Sequence, residues 1–205
     1  MFHAKSLHAA QFIAASPLLD QRQAVAVTGA AVLRADELMD LYGLLDPKSR
    51  RCLVPFLDPD FYRAVRGITD DTVNLLDDFF CHGFTNGFSP HPLIDLGYMH
   101  SHHPDLQSDD PATAFLHALA TDATNPSPYL DLLHCRHQIK ASLAKPIFYA
   151  FLEQAASENL RPNPYLEFDF YRAAYPDVPR DWWSALTHFV TTGDRECRSS
   201  GSRFD

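Results

Sequence analysis

One phrase recurs along this chain at nearly constant spacing, and it constrains the fold more than any other feature. Acidic residues stand at Asp20, Asp58, Asp95, Asp131, Glu167 and Asp205, separated by 38, 37, 36, 36 and 38 residues. Three positions before them stand Pro17, Pro55, Pro92, Pro128 and Pro164, with Ser202 the one exception. The two residues between proline and acid are apolar: Leu18-Leu19, Phe56-Leu57, Leu93-Ile94, Tyr129-Leu130 and Tyr165-Leu166. Only Arg203, beside Phe204, departs from this. A self-similar period of this length is the signature of a repeat array, in which one supersecondary unit recurs and buries its apolar face against its neighbours.

The phrase has a physical form. Asp58 is a good helix N-cap, since its carboxylate can accept from the free amides of the first turn. Pro59 follows at the first helical position, where its missing N–H costs nothing. Leu57 and Tyr62 flank the cap as a hydrophobic staple would. Asp20, Asp95, Asp131 and Glu167 are read as the corresponding caps. A second helix follows in each unit. In the first it runs from Asp36 to Leu45, with Leu38, Leu41, Tyr42 and Leu45 at helical spacing. In the next it begins near Asp70-Asp71 and ends at Gly83, where a left-handed residue would stop it. Asp110-Pro111, Pro146 and Asp181 open the later ones, the last of which stops at Gly193. The first unit lacks the aromatic pair of Phe61-Tyr62 and Phe170-Tyr171, offering Ala24-Val25.

The fold class expected is all-α: helical hairpins of about 36–38 residues stacked as a short superhelical, α-solenoid-like domain over 1–205. It would comprise a partial unit at 1–16, units starting near 17, 55, 92, 128 and 164, and the opening of a further unit at 202–205. Fifteen prolines against eight glycines suit an architecture with many stiff turns.

Composition narrows the function classes. A net charge of −9 with a pI near 5.6 opposes binding to phosphate backbones, so no nucleic-acid partner is expected. No apolar run reaches the roughly 18 residues that span a bilayer. The four cysteines form no CxxC pair and no zinc-like spacing, which fits small buried or half-buried residues in a reducing, cytoplasmic compartment. No P-loop, GxGxxG stretch or nucleophile elbow occurs, so no cofactor is expected.

Taken together, the phrase resembles the helical repeats that accompany bacterial glycosyltransferases and other cell-surface polysaccharide biosynthesis proteins. Their pattern runs PLFDPxWYLxxNPDV, then PLxHYLxxG, then xEGRxP. Residues 54–64 (VPFLDPDFYRA) and 163–178 (NPYLEFDFYRAAYPDV) match its first part. Residues 185–190 with Gly193 are similar to the second. Arg195-Glu196-Cys197-Arg198 approximates the third, with Cys197 where glycine is expected. The resemblance covers residues 55–205 and, more faintly, 17–54. It implies an accompanying module rather than a catalytic one, because such repeats do not carry the chemistry of the enzymes beside them.

Three groups of residues compete as sites. Asp58-Pro59-Asp60 spells the D-x-D with which many metal-dependent glycosyltransferases hold a sugar nucleotide, but it lies at a helix start and capping explains its spacing. His100, His102 and His103 cluster as a possible zinc or nickel set, although His103 occupies a turn position. Trp182 and Trp183 are neighbours on one helix and point about 100° apart, so one is read as structural and the other as a platform for a sugar ring or a partner. The leading expectation is a non-catalytic scaffold or interaction module of bacterial polysaccharide assembly, bound to a protein partner or a following catalytic domain. The alternatives are a small divergent glycosyltransferase, with Asp58, Asp60 and the histidines lining its cleft, and a direct glycan-binding module using Trp182 or Trp183.

Overall fold

The computed structural model describes residues 2–29, 32–140 and 145–201. Among the described residues it is all-helical, with no β-strand. The chain forms two compact units, Met1–Pro126 and Ser127–Asp205. The division falls at the start of the repeat near 128. A repeat chain makes contacts between neighbouring repeats only, so compactness can break at any repeat boundary even where the period suggests one domain.

In the first unit α1 (Ala4–Ala14) precedes the first repeat, which contains α2 (Gln21–Thr28), α3 (Ala35–Leu44) and α4 (Pro47–Leu53). This repeat has three helices rather than a hairpin, because Asp46 caps α4 by accepting from the Lys48 and Ser49 amides, with Pro47 in the first turn. The next repeat holds α5 (Pro59–Arg66) and α6 (Leu75–Asp78), the latter continuing as a π-helical turn over Phe79–Gly83. Its second helix starts later than the sequence suggests, at the Asn74 cap, while Asp70 instead closes a turn onto Thr72. The third repeat holds α7 (Leu96–His102), a 3₁₀ turn at Pro104–Gln107, and α8 (Pro111–Thr121). The second unit contains α9 (Leu132–Gln138), α10 (Ile147–Gln154), α11 (Phe168–Ala174) and α12 (Trp182–His188), the last extended by a π-helical turn over Phe189–Gly193. The expected opening of a further unit at 202–205 lies outside the described residues.

The caps explain why each repeat begins where it does. Asp20, Asp58, Asp95 and Asp131 each accept from amides of the turn that follows. Glu167 occupies the N-cap position without accepting such a bond. Its extra methylene carries the carboxylate past the amides, and it pairs with Arg161 at 2.9 Å instead.

The cap residues also use their own N–H groups, which no helix can satisfy. Asp20 donates to the Leu53 carbonyl (3.1 Å), Asp58 to Pro90 (2.9 Å), Asp95 to Pro126 (2.9 Å), Asp131 to Pro162 (2.9 Å) and Glu167 to Ser200 (2.7 Å). Each acceptor stands five residues before the next acid of the period. One backbone bond thus fastens the start of a repeat to the threshold of the one that follows it.

Burial follows the same register. The residue before each acid is buried (Leu19, Leu57, Ile94, Leu130, Leu166), and so is the residue four beyond it (Ala24, Tyr62, Met99, Cys135, Tyr171). The first repeat's equivalent of Phe61-Tyr62 is therefore Gln23-Ala24, not Ala24-Val25, and Val25 points outward. Phe61 and Phe170, one position earlier, are only half-buried. In the first unit Phe56, Phe79, Phe84 and Phe115 meet as an aromatic core with centroids 5.4–6.3 Å apart.

Gly83 and Gly193 do not stop their helices in the left-handed conformation. Each lies at the end of a π-helical turn where a Cβ would stand 2.0 Å from a tyrosine hydroxyl, that of Tyr62 and Tyr171 respectively. The left-handed residue comes four positions later, at Gly87 and Cys197, and equivalently at Asp122 and Asn159. In all four the next N–H reaches back five residues: Phe88 to Gly83, Ala123 to Ala118, Leu160 to Ala155 and Arg198 to Gly193. This six-residue closure around a left-handed residue is a Schellman-type end.

Candidate functional site

The carboxylates of the D-x-D are engaged by the protein itself. Asp58, only 8% exposed, accepts from the Asp60 and Phe61 amides at 3.0 Å each and pairs with Arg51 Nε at 2.9 Å. Asp60 pairs with the same guanidinium at 2.9 Å. Burial would push the Asp58 carboxyl up, but the nearby His91, the Phe61 amide and Arg51 hold it below the usual carboxylate range. The equivalent Glu167 and Asp169 are also ion-paired, but to two separate arginines, Arg161 and Arg172. The spacing that suggests a metal motif is a capping and ion-pairing device.

The histidine cluster does not converge. His102 Nδ1 lies 2.9 Å from the Tyr98 carbonyl, and its ring stacks on Tyr98 at 4.0 Å. His100 turns toward Phe84, with ring centroids 6.2 Å apart. His103 begins the 3₁₀ turn. Among the described residues these three do not bring their ring nitrogens into one ligand set.

The tryptophans part as adjacent helical residues must. Trp182 is 4% exposed, packs edge-on against Phe151 and Phe168, and donates its indole N–H to the Leu160 carbonyl at 3.0 Å. It belongs to the core of the second unit. Trp183 is half-buried and meets Trp182 edge-on at 4.6 Å.

The structure assembles a different group, which spacing alone does not reveal. His3, the residue preceding α1, lies against Asp77 of α6 and Cys81 of the π-helical turn that follows it. Their ligand atoms all lie within 4.8 Å of one another, and they are the one such group of three among the described residues. Beside them a cleft of about 420 Å³ opens between α1, the π-helical turn and the start of α8. Its walls carry Lys5, His8 and Asp110 over the buried rings of Phe80 and Phe84. Asp77 and Cys81, four apart on one helix, were the only part of this group that the sequence could suggest.

In the second unit two parts of the repeat phrase meet. Arg198 makes a paired contact with Asp177, 2.8 Å at each nitrogen, and its guanidinium lies 4.9 Å over the Tyr175 ring. The first unit makes the same contact with its partners exchanged: Arg66, in the Tyr175 position, lies 4.9 Å over Phe88, in the Arg198 position. These residues tie the first helix of a hairpin to the Schellman end of the second, and are spent on structure. No family model, no curated protein and no solved structure matches the chain.

Proposed function

We propose that this chain is a non-catalytic helical-repeat scaffold, its hairpins stacked within each unit in the manner of a short α-solenoid, and that it serves the polysaccharide-assembly machinery of a bacterial cell. The observation that carries the scaffold reading is the backbone bond from each cap residue to the threshold of the next repeat, made five times. An architecture held by such neighbour bonds presents side chains along its length and has no need of a central cleft. Of the acids best placed for sugar-nucleotide chemistry, Asp58 is taken up by its capping amides and Arg51, and Asp60 shares the same guanidinium. The polysaccharide assignment rests on the resemblance of residues 54–64 and 163–178 to repeats that accompany glycosyltransferases. Any glycan contact would fall to Trp183, since Trp182 is occupied in the core.

The test has two arms. The purified chain, incubated with sugar nucleotides and manganese, should show no turnover, and it should co-purify with a glycosyltransferase encoded beside it. Turnover that disappears in Asp60→Ala would replace the scaffold reading with the enzymatic one.

A further inference from the structure

The geometry points to a zinc-class metal site built from His3, Asp77 and Cys81, which staples the segment before α1 to the second helix of the repeat at 55–91. It is independent of the scaffold reading and would stand if that reading failed. Asp77 and Cys81 lie four apart, which places them on one face, and His3 closes over them from 74 residues away. The His3 ring Nδ1 lies 3.2 Å from Asp77 Oδ2, and Cys81 Sγ lies 3.8 Å from Asp77 Oδ1. Zinc bonds of about 2.0–2.3 Å to nitrogen, oxygen and sulfur in a tetrahedron require ligand atoms about 3.3–3.7 Å apart. The two separations run to different oxygens of the one carboxylate, and a set with one ligand atom from each residue lies within 4.8 Å, so a small inward shift of the side chains brings it to metal-binding distance.

The surroundings fit a held ion. Ser6 is fully buried, and its hydroxyl lies 3.2 Å from Cys81 Sγ and 3.2 Å from the Asp77 carbonyl oxygen. It donates its one proton to that carbonyl while Cys81 is a thiol, and with a metal holding Cys81 as thiolate the same proton can turn to the sulfur as an outer partner. The His3 backbone N–H donates to Asp77 Oδ1 at 3.3 Å and helps to fix the carboxylate. The ring of His82, the next residue in the chain, lies edge-on 6.1 Å from that of His3 but does not join the ligand group, so solvent supplies the fourth ligand. One thiolate, one imidazole and one carboxylate select zinc or cobalt over magnesium and calcium, which prefer all-oxygen shells.

Without an ion, the same contacts would amount to an aspartate that binds the N–H and ring of the residue before α1. The two readings differ in what cobalt does. Untagged protein titrated with cobalt(II) should develop thiolate-to-metal charge-transfer absorption and the strong visible bands of a tetrahedral ion, saturating at one equivalent. Zinc should displace it, and magnesium should not. Zinc should also raise the melting temperature. Cys81→Ser should abolish the charge-transfer band, and His3→Ala should weaken zinc binding at least tenfold. His3 is 60% exposed, so that variant tests the site without threatening the fold. Cys52→Ser and Cys197→Ser, at exposed thiols, should leave the spectrum unchanged. Binding of less than one equivalent, or a cobalt spectrum that survives Cys81→Ser, would overturn the proposal.

Discussion

A single position shows how closely the backbone dictates its residue. Cys197 holds a left-handed conformation, with φ 54°, at the point where its counterpart three repeats earlier is Gly87 at φ 74°. A residue with a Cβ pays about 1 kcal/mol or more in this region, whereas glycine enters it without steric cost. Asp122 and Asn159 occupy equivalent positions and are residues that tolerate it better. Cys197→Gly should therefore stabilise the second unit by about 1 kcal/mol, seen as a raised midpoint in thermal or urea denaturation. A lowered midpoint would mean that the cysteine side chain makes a compensating contact.

Within a hairpin, two helices approach because a tyrosine on one meets a glycine on the other. Tyr62 donates to Asp78 at 2.6 Å, and Tyr171 contacts His188 Nδ1 at 3.0 Å, each hydroxyl lying over Gly83 or Gly193. The repeats with Met99 and Cys135 in the tyrosine position have no hydroxyl to accommodate, and they carry Ala118 and Ala155 at the matching place. Gly83→Ala should cost about 1–3 kcal/mol, the usual penalty for forcing a methyl group into a filled core. Tyr62→Phe removes the nearest atom, although ring carbon Cζ remains 2.9 Å from the added Cβ. The double variant should then be less destabilised than the sum of the two single ones, a coupling that a double-mutant cycle measures directly.

For the molecule as a whole, stability should fall on mild acidification. His91 is 1% exposed and accepts the Leu93 N–H at Nδ1 at 3.0 Å, so it is held neutral. Burial pushes its pKa down to about 4, against the attraction of Asp58. The unfolded chain binds this proton near pH 6.5, the folded one only near pH 4. The stability is therefore fully present above pH 6.5 and drains away as pH falls through that window, reaching roughly 3 kcal/mol lost below it. His134, also lowered by burial, acts in the same direction. The paired carboxylates Asp58 and Asp78, both held below the usual range, lose their contribution only at lower pH. Urea denaturation from pH 7 to pH 4 should show the decline. His91→Asn, whose amide oxygen can accept the same Leu93 N–H, should flatten most of it. An unchanged slope in that variant would place the titration elsewhere.

The all-helical class, the period of 36–38 residues and the four aspartate caps could be read in the sequence, because all three arise from contacts within a few residues. A carboxylate caps the next turn whatever surrounds it, and a proline in the first turn is tolerated everywhere. What the sequence misjudged depended on longer contacts. The glycines at 83 and 193 looked like helix stops, yet it is the hydroxyls of Tyr62 and Tyr171, about twenty residues away, that require them. Glu167 sits where a cap belongs, but its side-chain length and Arg161 decide otherwise. The histidines at 100, 102 and 103 are close in sequence and turn to different partners. His3, Asp77 and Cys81 are far apart in sequence and meet, because α1 packs on the π-helical turn and on α3. Local spacing determines where helices begin. Only tertiary packing decides which of their side chains share a point in space.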